Sequence, residues 1–193
     1  MLITMGVFRV SRAKQAMHHL RRAALLATLV FGLSACLGIP EGVKPVQDFE
    51  IDRYLGTWYE IARLDHSFER GLSKVTAQYS LREDGGVRVI NRGFNTAENK
   101  WEEAEGRAYF VDDKTIGKLK VSFFGPFYGA YNVIALDQQD YQWSLVAGPD
   151  TDYLWILSRT PVLEKSVVDK LISEVRSYGF NTDELIFVDH AEK

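Results

Sequence analysis

The 193-residue sequence holds one cysteine, Cys36, and only four histidines, of which His18 and His19 lie in a basic leader. A single thiol excludes an internal disulfide. The remaining histidines, His66 and His190, lack the close His/Cys spacing of a tetrahedral zinc site, so neither a metal nor another cofactor is expected. The apolar run from Ala23 to Leu33 is about eleven residues, too short to span a bilayer as a helix. No glycine-rich loop precedes a helix to cradle phosphate. Positive charge is scarce beyond the leader. Residues 1–35 carry five Lys/Arg and no Asp/Glu, which leaves 18 basic against 26 acidic residues in the rest, a balance of −8. That balance argues against nucleic acid as a partner and against a polybasic membrane-surface mode.

What is present starts with a secretory pattern. Arg9, Arg12, Lys14, Arg21 and Arg22 precede the apolar run, which ends in Leu33-Ser34-Ala35-Cys36. This ending resembles the lipobox of bacterial lipoproteins, and a lone free thiol would be a liability in an oxidising compartment. The resemblance implies cleavage before Cys36 and acylation of its thiol and amine. Three acyl chains at about 0.8 kcal/mol per buried methylene hold a protein firmly where one chain is marginal. Leu37 follows rather than Asp, which resembles the outer-membrane sorting pattern. The expected organisation is a signal peptide over 1–35, a lipidated tether rich in Gly and Pro over 36–47, and one folded domain over 48–193.

From Gly56 onward, short strand-like runs alternate with turn signals. The runs are Trp58 to Leu64, Val75 to Leu81, Val87 to Phe94, Trp101 to Val111, Lys118 to Phe123, Tyr128 to Leu136, Trp143 to Ala147 and Tyr153 to Ser158. Glu83-Asp84-Gly85-Gly86 makes a tight hairpin turn. One segment departs from the pattern. Thr160-Pro161 reads as a helix start, and Val167, Val168, Leu171, Ile172, Val175 and Tyr178 then fall on one face until Gly179 ends the helix. Leu185 to Val188 reads as a short terminal strand. Eight antiparallel strands and one amphipathic helix suggest an all-β, up-and-down barrel with a C-terminal helix packed outside. Periodicity alone leaves a two-sheet sandwich open.

The run Asp52-Arg53-Tyr54-Leu55-Gly56-Thr57-Trp58-Tyr59-Glu60-Ile61-Ala62 resembles the first signature of the lipocalins. Thr151-Asp152-Tyr153 resembles the second and Ser158-Arg159 the third, in order and at strand ends. The sequence is thereby similar to the bacterial lipocalins over nearly all of 46–190. The resemblance implies a ligand-holding calyx, with Gly56, Trp58, Thr151, Asp152, Tyr153 and Arg159 as structural signature residues. It also implies that Arg159 stacks on Trp58 to plug one end. For function it implies a carrier or store of fatty acids or lysophospholipids at the outer membrane, facing the periplasm, and it allows a homodimer. A structural envelope lipoprotein with a closed, packed core, or a lipid hydrolase, stands as the alternative.

Within such a barrel, alternation nominates inward positions. If Trp58 points in, so do Glu60 and Ala62. Leu119, Val121 and Phe123 form the natural inner face of their strand. The helix must bury its stripe on the outside, where Leu154 and Ile156 would receive it, leaving Trp155 in the calyx. Tyr128 is expected to offer a hydroxyl to a polar head group. No catalytic residue is nominated. Asp65-His66-Ser67 is a tempting trio, but strand neighbours point to opposite faces. Glu102, Glu103 and Glu105 read as a solvated strand edge.

Overall fold

The structure, a computed structural model, describes residues 37–191. Cys36 and the leader lie outside the described residues. The elements are a one-turn helix α1 (Ile51–Tyr54), strands β1 (Gly56–Arg63), β2 (Leu72–Leu81), β3 (Val87–Asn95), β4 (Lys100–Phe110), β5 (Lys118–Ser122), β6 (Gly129–Leu136), β7 (Trp143–Ala147) and β8 (Leu154–Ser158), helix α2 (Lys165–Ser177), and a two-residue strand β9 (Ile186–Phe187). Each of the first seven strands pairs antiparallel with the next, and β8 pairs back with β1, which closes the barrel. Closure removes the free edges that a sandwich would leave. Strand β2 leaves β1 after Tyr59, and β9 fills the gap by pairing with Ala62 and Arg63.

Up-and-down connectivity sorts the loops between two ends. The turns at 82–86, 111–117 and 137–142 lie at one end, which α1 also occupies. The loops at 64–71, 96–99, 123–128 and 148–153 lie at the other. We call these the closed and open ends. The described chain begins at the open end, where Asn132 Nδ2 donates to the Gly38 carbonyl at 3.1 Å and to that of Gly148 at 3.1 Å. It then runs down the outer wall. Val43 is buried beside the helix, and Val46 bonds through its N–H to Val133 and through its carbonyl to Gly117. Phe49 donates to Thr115 at the closed end. The tether region is therefore packed along most of its length.

Two cores result. Outside the barrel, Val168, Leu171 and Val175 of α2 pack on Leu154 and Ile156 together with Leu145 and Ala147. Inside, Trp58, Tyr79, Val87, Val89, Leu119 and Leu157 belong to a second cluster. The helix begins at Lys165 rather than at Thr160. The Thr160 hydroxyl donates to the Val162 carbonyl at 2.7 Å and the Thr160 N–H donates to Ser158 Oγ, so the residue makes a local turn instead of a cap. At the other end Gly179 has φ +88, the left-handed conformation that stops the helix.

One strand departs from simple alternation. The β1–β8 register shifts between Glu60 and Ala62, so Ile61 is an extra residue in β1. Ile61 and Ala62 consequently both join the outer core under the helix. The expectation that Ala62 shares the face of Trp58 and Glu60 is corrected here. The bulge reverses parity and leaves Arg63 almost wholly buried.

Candidate functional site: the calyx and its two ends

The closed end is sealed by the signature residues. Gly56 has φ +93, a left-handed conformation that favours glycine, where the chain turns from α1 into β1. Trp58 is fully buried and donates its indole N–H to the Tyr54 carbonyl at 2.8 Å. The Arg159 guanidinium lies 3.9 Å from the Trp58 ring centroid. It donates to the carbonyls of Tyr141 at 3.2 Å, Thr57 at 2.9 Å and Arg53 at 2.6 Å. A planar fork that stacks and spans three carbonyls is a task that lysine cannot match. Above this plug, the hydroxyls of Tyr54 and Tyr79 each lie 2.9 Å from that of Tyr131, and Ser144 Oγ lies 3.0 Å from Tyr54. Burial pushes the Tyr54 hydroxyl up to about 12, and all three phenols stay neutral donor–acceptors.

Between the tyrosine floor and the mouth lies a cavity of about 110 Å³. That is many times the volume that admits one water, so the interior is not packed solid. Its wall is largely aliphatic, including Val75, Val87, Val89, Leu119, Val121 and Val146. Trp155 and Phe123 line it as well. The sequence-nominated residues Leu119, Val121, Phe123 and Trp155 therefore share one cavity. Tyr128 does not line it. Its hydroxyl accepts from Arg107 Nε at 3.2 Å, Lys120 Nζ lies 5.1 Å from its ring centroid, and Tyr109 packs edge-on to it. Lys120 alternates with the inward Leu119 and Val121, so Tyr128 belongs to the outward face, and its nomination as a calyx residue is corrected. Thr151, Asp152 and Tyr153 form the open-end loop, where Asp150 Oδ1 accepts from the Asp152 N–H at 3.0 Å.

A buried charged cluster on the open-end side of the cavity was missed from the sequence. Glu60 and Glu69 both line the cavity and are almost wholly buried. Arg63 donates to Glu60 Oε1 at 2.5 Å and to the Glu69 carbonyl at 2.8 Å. The Trp155 indole donates to Glu69 Oε2 at 3.1 Å, and His66 Nε2 lies 3.4 Å from the same oxygen. The imidazole also stacks on Phe68 at 4.2 Å, and neither ring nitrogen has a hydrogen-bond partner. Burial drives both carboxyls upward. Glu60 reaches about 8 because desolvation and the neighbouring Glu69 outweigh Arg63. Burial and the charge of Arg63 push His66 down to about 4. At neutral pH the imidazole is therefore neutral and the carboxyls are held toward their protonated forms. The parity-reversing bulge could not be read from the sequence, and neither could the reach of Glu69 back across the mouth to Trp155.

Among the described residues, no group of three or more His, Cys, Asp and Glu side chains is placed to hold a metal, and no helix is long and apolar enough to cross a membrane.

The family model that matches the chain describes a lipocalin-like domain over residues 49–190. The chain is 57% identical over 167 residues to the outer membrane lipoprotein Blc of Vibrio cholerae, covering 86% of this chain and 98% of that protein. It is 55% identical to the protein of the same name from Escherichia coli K12, covering 84% and 92% respectively. Bovine apolipoprotein D is 36% identical, with 75% and 79% covered. Among solved structures, insecticyanin from the tobacco hornworm superposes with a TM-score of 0.65 at 27% identity, covering 80% of this chain and 88% of that one. Closed eight-stranded topology, the Trp58–Arg159 plug and these likenesses agree, and the chain belongs to the lipocalin family, together with the bacterial outer-membrane lipoproteins.

Proposed function

We propose that this lipid-binding outer-membrane lipoprotein holds a fatty acid or a lysophospholipid in its calyx, anchored through acylated Cys36 and facing the periplasm, and that it carries or stores that lipid without turning it over. The observation that carries the reading is the aliphatic cavity, sealed at one end and rimmed by loops at the other. A chain of roughly 16 methylenes at ~0.8 kcal/mol each sets a ceiling near 13 kcal/mol. Association and chain-ordering costs reduce this to about micromolar affinity. The binder reading is favoured over a hydrolase because His66 is buried, stacked between rings and depressed in basicity, while the neighbouring Ser67 is exposed. A base so placed does not activate that hydroxyl.

The test is native mass spectrometry of the tag-free Cys36→Ser protein, with extraction of any lipid that co-purifies. Bound fatty acid or lysophospholipid at near one per chain, with no release of free fatty acid from added lysophospholipid, supports the reading. Sustained release at catalytic protein concentration overturns it. In cells, Cys36→Ser is expected to abolish fractionation with the outer membrane; unchanged fractionation would overturn the anchor.

A further inference from the structure

The exposed aromatic side chains are distributed unequally between the two ends. Phe68, Phe124 and Phe127 are 59%, 80% and 72% exposed, and all three stand on open-end loops. Trp101, at the open-end start of β4, is also exposed. The large apolar side chains exposed at the closed-end tip of β2 and in the segment after β8 are aliphatic, Leu81 and Val162. Phenylalanines left in water around a cavity mouth carry a desolvation incentive that the fold itself does not use.

The path of the tether supplies the second observation. Its first described residues lie against the open-end loop after β7, where Gly38 accepts from Asn132 and approaches the Pro149 carbonyl. The packing of Val43 and Val46 along the outer wall fixes that position. Cys36 is one peptide unit from Leu37, a step of ~3.8 Å. Leu37, the residue to which Cys36 is bonded, therefore belongs to the open end and not to the plugged one.

We propose that the open mouth of the barrel docks on the lipid surface that carries its own anchor, with Phe68, Phe124 and Phe127 entering the headgroup region of the periplasmic leaflet. This orientation rests on the anchoring of Cys36. Amphipathic surfaces bind lipid in this way when apolar side chains reach the headgroup–acyl boundary. The consequence is that a lipid passes between leaflet and calyx without crossing bulk water, whereas a barrel standing on its plugged end would present the mouth to the periplasm.

The experiment couples the protein from Cys36 onward, which carries the whole barrel, through its single thiol to a maleimide lipid in phosphatidylethanolamine–phosphatidylglycerol vesicles. Amide hydrogen exchange is compared with the same protein saturated with oleic acid in solution, so that filling of the cavity is not mistaken for docking. Slowed exchange in 64–71 and 123–128, with 82–86 and 137–142 unchanged, is expected. Protection of the closed-end turns, or of neither end, overturns the proposal. A Phe124→Ser, Phe127→Ser double variant is expected to lose most of the vesicle-induced protection while binding oleic acid in solution within twofold of the parent. Undiminished protection in that variant overturns the role of these rings. Chemical coupling replaces the natural acyl chains, so failure of Cys36 acylation or of oleic acid binding is read separately and leaves the exchange pattern decisive.

Discussion

The two ends of the barrel solve opposite problems. At the closed end the polar groups are matched: the Trp58 indole has a carbonyl, the Arg159 guanidinium has three, and the Tyr54, Tyr79 and Tyr131 hydroxyls satisfy one another. At the open end, buried charge is only partly matched. Both ring nitrogens of His66 and Nε of Arg63 lack partners, and two carboxyls face one cavity. A satisfied network rigidifies, whereas a partly satisfied one keeps polar atoms that only a hydrogen-bonding group can match. The difference teaches that stability is concentrated at the plug and adaptability at the mouth.

The largest expected effect is therefore at the plug. Trp58→Ala should lower unfolding free energy by about 3–5 kcal/mol, the range for deleting a buried aromatic. Arg159→Ala should cost less, and the two losses should be non-additive in urea titrations, because the groups touch. Strict additivity would show that the stack contributes nothing.

A smaller effect, with a sign of its own, is expected at the mouth. Glu60 has a native value of about 8 against an ordinary 4.5, so the native state holds its proton more tightly than the unfolded chain. Stability from this group is then lost as pH rises from 4.5 toward 8. His66 runs the other way, at about 4 against 6.5, and stability is lost as pH falls through that window. Between pH 4.5 and 6.5 the two oppose, and between 6.5 and 8 the carboxyl effect stands alone. Glu60→Gln, which keeps an acceptor for Arg63, should flatten the decline between pH 6.5 and 8 in urea midpoints measured across pH. His66→Gln should flatten the acid limb. A plug variant such as Arg159→Ala should leave both slopes in place.

How far each end was legible follows from how each is built. The closed end was legible through the resemblance to the lipocalin signatures, and the structure gives those residues physical tasks: Gly56 turns the chain at a positive φ, and Arg159 stacks on Trp58. The facing of β8 was also legible, since the stripe of Val168, Leu171 and Val175 demands Leu154 and Ile156 as partners and leaves Trp155 on the other face. The mouth was not. One extra residue at Ile61 reverses the parity of β1, moving Ala62 outward and burying Arg63. Glu69 sits in a loop, where no period predicts direction, and meets Trp155 across 86 positions of sequence. The Thr160 hydroxyl, read as a cap, is used up by a local turn.

The indole at the mouth reports on the cavity. Trp155 lines it and donates to Glu69, so displacement of water by an acyl chain should change its emission. Trp155→Phe should remove most of the lipid-induced fluorescence change while lipid still binds. The lost Glu69 contact should weaken binding or stability by only about 1 kcal/mol. Trp58, sealed below the tyrosine floor, should contribute little to the signal. An undiminished response in Trp155→Phe would place the reporter at another indole and erase the distinction between a responsive mouth and an inert plug.

The smallest effect is expected just beyond the cavity wall, at Tyr128. Its hydroxyl accepts one hydrogen bond from the exposed Arg107, and its ring sits with Lys120 and Tyr109 on the outward face of β4, β5 and the loop between β5 and β6. Removing that hydroxyl leaves Arg107 free to bond water, so Tyr128→Phe should change stability by less than about 0.5 kcal/mol. Because none of its atoms line the calyx, affinity for fatty acid or lysophospholipid should remain within twofold of the parent in calorimetric titration. A tenfold loss would correspond to about 1.4 kcal/mol of direct contact and would require the loop after β5 to fold inward when lipid binds. The mouth would then close over its ligand, and the contrast between a fixed plug and an open rim would hold only for the empty barrel.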